Sequence, residues 1–102
     1  MAYILKEGQT FNYNGVVDLP DAQKKICSQQ LFIQVDEDGI KTFSGLVMIG
    51  TYASGDWSKK LEETGVPVQD IPYNDGTVNI ADLYTAVSNS GMLDMDVWVS
   101  DV

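Results

Sequence analysis

Large apolar residues recur at every second position over several short stretches of this chain, and glycine-bearing turns separate the stretches. In residues 29–35, Leu31, Ile33 and Val35 fall on one face of an extended chain, while Gln30, Phe32 and Gln34 fall on the other. Residues 42–52 are apolar on both faces, with Phe43, Val47 and Ile49 on one and Leu46, Met48 and Tyr52 on the other. A strand of that kind is central in its sheet or covered on both sides. The last stretch sets Leu93, Met95, Val97 and Val99 against Asp94, Asp96, Trp98 and Ser100, which predicts a half-buried strand with Trp98 on its polar face. Weaker strands are predicted at 3–5, 11–13, 16–19, 66–71 and 77–80.

Turn dipeptides punctuate these stretches: Asn14-Gly15, Asp38-Gly39, Ser54-Gly55, Asp75-Gly76 and Ser90-Gly91. The two Asp-Gly pairs suit tight hairpin turns. Helix is scarce. Residues 20–27 read as about two turns, with Asp18 as cap and Pro20 near the first position. Residues 58–64 and 81–87 each read as one turn more, too short to stand alone. About eight short strands joined by such turns predict a mostly β domain. The expected form is an antiparallel, jelly-roll-like β-sandwich with one or two short helical turns, in a single domain over residues 1–102.

Composition narrows the function. Hydrophobic residues make up 44% of the chain, which excludes a disordered reading. Fifteen acidic residues face six lysines, with neither arginine nor histidine, for a formal charge of −9. That charge repels nucleic acid and anionic membranes and admits neutral or basic partners. Without His there is no imidazole base for Ser–His or Cys–His chemistry and no ordinary zinc site. Without Arg the bidentate clamp for phosphate is missing. The start, Met1 to Glu7, is too short and too charged for a signal peptide, and no apolar run approaches about 20 residues. Folding in a cytoplasm is expected.

Single residues add little catalytic promise. Cys27 is the only cysteine and is expected to be a small buried apolar side chain. Asp94 and Asp96 are expected to be solvated rather than a paired-carboxylate site. Asp36-Glu37-Asp38-Gly39 resembles the opening of a calcium loop, but Val47 stands where a bidentate acid would close it. It reads as a hairpin turn that needs no cofactor, and a structural Ca²⁺ among loop acids stays open. The chain is not expected to be an enzyme.

Large side chains on nominally outer faces are more informative: Phe32, Leu46, Met48, Tyr52 and Trp98, joined by Trp57 just after the central strand. Three things could cover them: a second layer of the same domain, a partner protein or neighbouring subunit, or a sugar ring stacked on Trp57 or Trp98. Trp57, beside a turn, could equally fold back as a lid on the core.

The order of motifs resembles a known layout. Thr42-Phe43-Ser44-Gly45-Leu46-Val47-Met48-Ile49-Gly50 leads into Ser54-Gly55-Asp56-Trp57. A strand of the type Pro-Val-x-x-Ile-Pro follows, then Asp75-Gly76-Thr77, Ile80-Ala81-Asp82-Leu83-Tyr84 and a final strand over 93–99. Over residues 29–102 this is similar to small β-sandwich accessory proteins of tailed-bacteriophage virions, decorating capsid or tail, and to discoidin-like carbohydrate-binding modules. Such modules often carry an Arg in the last strand, where Met95 or Val97 stands here. No ligand contact is therefore carried over.

The resemblance implies a non-enzymatic virion component acting by protein–protein contact. It would contact other virion subunits and its own copies as a homo-oligomer, assembled in the host cytoplasm, without nucleic-acid or membrane partners. Two alternatives remain. One is a carbohydrate-binding module using Trp57, Trp98 or Tyr52; the other is an acidic inhibitor of a basic host protein.

Overall fold

Three consecutive apolar-rich stretches, joined by short connections, give the molecule its length. The computed structural model describes residues 2–55, 57 and 59–101. In chain order the elements are β1 (Tyr3–Leu5), β2 (Phe11–Tyr13), β3 (Val17–Leu19), β4 (Gln23–Val35), β5 (Lys41–Tyr52), β6 (Lys60–Pro72), helix α1 (Ile80–Asn89) and β7 (Trp98–Ser100). Five strands form one antiparallel sheet in the order β6-β5-β4-β1-β7, and β2 pairs with β3 in a separate ribbon. The mostly β, antiparallel expectation holds. The two-sheet, jelly-roll-like sandwich is not confirmed by this pairing.

Turn chemistry acts where the glycines predict it. Asn14 and Gly15 both take positive φ (56° and 71°), and Val16 N–H donates to the Tyr13 carbonyl, closing a tight hairpin. Asp75 and Gly76 do the same between Asn74 and Thr77. At the β4–β5 turn only Gly39 has positive φ, and the Asp36 carboxylate accepts from the Asp38 and Ile40 N–H groups at 2.9 Å each. The acidic run is thus a self-capped hairpin turn.

Pairing fixes which side chains share a face. On the inner face, Ile26, Leu31 and Ile33 sit opposite Ile49, Gly45 and Phe43. These β5 residues in turn sit opposite Thr64, Val68 and Ile71 of β6. Helix α1 packs on this side against β6, burying Leu83, Tyr84 and Val87. Asn79 caps it by accepting from the Ala81 N–H at 2.9 Å. Tyr3, Phe43, Val47, Ile49, Val66, Ile71 and Trp98 complete the core. Two hydroxyls tie helix to sheet: Tyr3 donates to the Tyr84 carbonyl, and Tyr84 Oη accepts from the Ile26 N–H at 3.1 Å. At Gly45 only glycine fits, because φ is +156° and a Cβ would lie 2.0 Å from the Gln30 carbonyl oxygen.

Several predicted elements are corrected. Residues 20–27 are not helical: β4 begins at Gln23, because Ala22 and Lys24 are buried while their neighbours are less so, a strand's period. The turn predicted at 58–64 lies mostly within β6, whose Glu62 and Glu63 pair with Thr51 and Gly50; Ser58 lies outside the described residues. The strand predicted at 77–80 is replaced by the Asn74–Thr77 turn and the helix cap, and the helix runs longer than 81–87. The predicted final strand shrinks to β7. Residues 94–98 turn, with the Val97 and Trp98 N–H groups both donating to the Asp94 carbonyl, and this resets the alternation. Trp98 therefore points inward and Val99 outward.

Candidate functional site

The molecule measures 50 × 24 × 21 Å, and its long direction follows the three long strands β4, β5 and β6. A ten-residue helix covers only about 15 Å, whereas a thirteen-residue strand runs about 43 Å. Helix α1 lies along β6, where Val68 and Ile71 are buried, and the β2–β3 ribbon packs at the Trp98 end, so the far half of β4 is left without such cover. The other end projects as an arm, finishing at the Asp36–Ile40 turn.

On the outer face of the arm, Phe32 pairs with Ser44, Gln30 with Leu46 and Ser28 with Met48. Across β5, Leu46 meets Pro67 and Met48 meets Gly65. Phe32 and Leu46 are exposed and border a depression of about 540 Å³ lined also by Gln34, Val68 and Gln69, and Met48, toward the broad end, is half-buried. At the tip, Ile33 and Val35 on the inner face and Ile40 in the turn are exposed too. Counting Phe32 and Leu46, five large apolar side chains of the arm are between 39% and 59% exposed. Pattern analysis missed Ile33, Val35 and Ile40, since strict alternation assigns the first two to a core. The signal was available in element length: no predicted helix was long enough to cover a strand of that reach.

The other three candidates lie at the broad end and are covered. Tyr52 is on the outer face with Leu46 and Met48, as predicted, yet only 7% exposed. Trp57 stands edge-on to it at 5.1 Å between ring centroids, and Lys25 Nζ lies 4.6 Å from the Trp57 ring centroid. Trp57, half-buried with φ of +58°, thus caps Tyr52 rather than the main core. Trp98 is 4% exposed, tilted against Phe11 at 6.1 Å and under Lys24 Nζ at 4.9 Å. With Tyr52 and Trp98 covered, the three aromatic rings proposed to stack on sugar form no shared platform.

Titratable groups at this end are perturbed by their surroundings. Lys24 is buried; its ammonium donates to Thr51 Oγ1 at 2.6 Å and faces Glu62 at 3.5 Å. Burial lowers its pKa below the usual 10.5, and Glu62 opposes that shift. Cys27 is exposed, contrary to the expected burial, because a bulge between Ile26 and Ser28 turns it out of the pairing register. Its Sγ lies 3.3 Å from Tyr52 Oη, and that hydrogen bond, then burial, pushes the Tyr52 hydroxyl up to about 12. Among the described residues no group of three or more His, Cys, Asp or Glu comes together to hold a metal ion. No helix among them is long and apolar enough to cross a membrane.

A second groove of about 640 Å³ runs between β6 and α1, with Asp70, Asp82, Thr85 and Met92 on its walls. Compared with known protein families, curated proteins and solved structures, the chain finds no match.

Proposed function

We propose that this chain is a non-enzymatic interaction protein that works by protein–protein contact through its projecting arm. The observation that carries the reading is the arm's five exposed large apolar side chains, Phe32, Ile33, Val35, Ile40 and Leu46, held on rigid paired strands. Scattered apolar residues are ordinary on a protein surface, but five large ones gathered on both faces and the turn of one hairpin mark a contact site. The formal charge of −9 keeps such a surface soluble before it is covered. The lack of any histidine or arginine favours contact over chemistry.

The setting we propose is the virion of a tailed bacteriophage, as a capsid-decoration or tail accessory protein assembled in the host cytoplasm; the motif order over residues 29–102 supports it. A jelly-roll-like sandwich would need a second layer over the outer face, which a partner can supply. A photo-crosslinking amino acid at position 32 tests the reading in particles of the phage that encodes the chain. Adducts to virion proteins are expected. Particles that lack the polypeptide, or contain it without adducts, would refute the reading.

A further inference from the structure

The charge along the outer face selects one partner, and this step rests on the contact reading above. At the broad end Lys25 and Lys60 stand on that face, paired in register with Gly50 and Tyr52; Lys59 directly precedes Lys60, and Glu63 forms an ion pair with Lys60 at 3.2 Å. At the far end the turn carries Asp36, Glu37 and Asp38. Phe32, Leu46 and Met48 lie between. We propose that this face binds a second copy of the chain, turned end for end about a two-fold axis that passes beside Leu46.

Two independent patterns share that centre. Between Lys25 and Asp36 the midpoint of β4 falls at Gln30 and Leu31, whose β5 partners are Leu46 and Gly45. The apolar residues straddle the same point, with Phe32 toward the tip and Met48 toward the broad end. A two-fold operation there lays Phe32 of one copy over Met48 of the other, Leu46 beside Leu46, and each acidic tip over the other's Lys25 and Lys60. The patch is thereby self-complementary, as a two-fold interface requires. The parallel arrangement would set acidic tip against acidic tip in a body already at −9.

The size is adequate. Three strands about 4.8 Å apart and about 43 Å long give a face of roughly 600 Å² in projection, more with side-chain relief. A stable pair needs about 800 Å² from each partner. Sheets stacked this way lie about 10 Å apart, so the two copies would make between them the sandwich that the strand rhythm implies.

Sedimentation velocity on the full chain from micromolar to several hundred micromolar tests the proposal. A monomer–dimer equilibrium is expected. Leu46→Lys puts like charges at the axis and should weaken it at least tenfold. Reversing the broad end (Lys25→Glu with Lys60→Glu) or the tip (Glu37→Lys with Asp38→Lys) should each weaken it to a similar degree. Mixing these two variants should restore a heterodimer, which also shows that both still fold. A chain that stays monomeric throughout, a dimer indifferent to Leu46→Lys, or a mixture that fails to pair would each overturn the proposal. If the crosslinker at position 32 captures another virion protein but never this chain, the dimer falls while the contact reading stands.

Discussion

The two ends of the long sheet hold similar kinds of side chain and treat them in opposite ways. At the broad end Phe11, Trp98, Tyr52 and Trp57 are layered over one another and over two lysines, and the helix closes the inner side. On the arm Phe32, Ile33, Val35 and Ile40 stand in water. The broad end has enough covering chain for its apolar surface; on the arm the helix reaches β6, where Val68 and Ile71 are buried, and leaves β4 and the turn uncovered. Stability is therefore concentrated at one end, and the other is free to be shaped for contact.

Trp98→Ala should break the broad end. Removing a buried indole costs about 3–5 kcal/mol, read as a lowered denaturation midpoint. Next comes Gly45→Ala, where the new methyl meets the Gln30 carbonyl at a positive φ. A loss of about 1–3 kcal/mol is expected, with amide exchange of β4–β5 rising more toward the tip than at the broad end.

The pH dependence above neutrality should come from the tyrosines and Lys24 of the broad end. Burial holds the Tyr3 and Tyr84 hydroxyls above their usual 10, and Tyr52 is at about 12. Raised folded values stabilise fully below the unfolded value and are lost as pH rises through the folded one, so the melting temperature should fall from about pH 10 upward. Lys24 acts the other way. Its lowered folded value makes stability rise with pH between that value and 10.5, and Lys24→Met should flatten that rise. Cys27→Ala should bring Tyr52 ionisation back toward 10 by tyrosinate absorbance.

The smallest effect sharpens the contrast most. Phe32→Ala should change monomer stability by less than about 0.5 kcal/mol. A loss of several kcal/mol would mean that the ring is part of the fold.

Face assignments within the long strands were legible because period-two patterning is a property of the backbone. Phe43, Val47 and Ile49 are inward, and Leu46, Met48 and Tyr52 outward. Trp98 was not legible, because the 94–98 turn inserts a phase shift that no apolar pattern records. The start of β4 was misread because Pro20 and Asp18 mimic a helix start, while pairing with β5 decides the outcome. Among the candidate side chains, the outward placement of Phe32, Leu46 and Met48 was legible, and the covering of Tyr52, Trp57 and Trp98 was not. A ring's covering depends on which distant residues fold over it, as Phe11 does for Trp98 and Trp57 for Tyr52.

Strand β6 borders the sheet, and it carries Pro67, Pro72 and a left-handed Asp70. Proline offers no N–H to a newcomer, and the bend at Asp70 spoils the straight run on which another strand could zip. Strand addition at this rim is thereby discouraged, whereas on the opposite side β1 pairs only with Gln23 and Lys24, so that among the described residues the rest of β4 is also a rim.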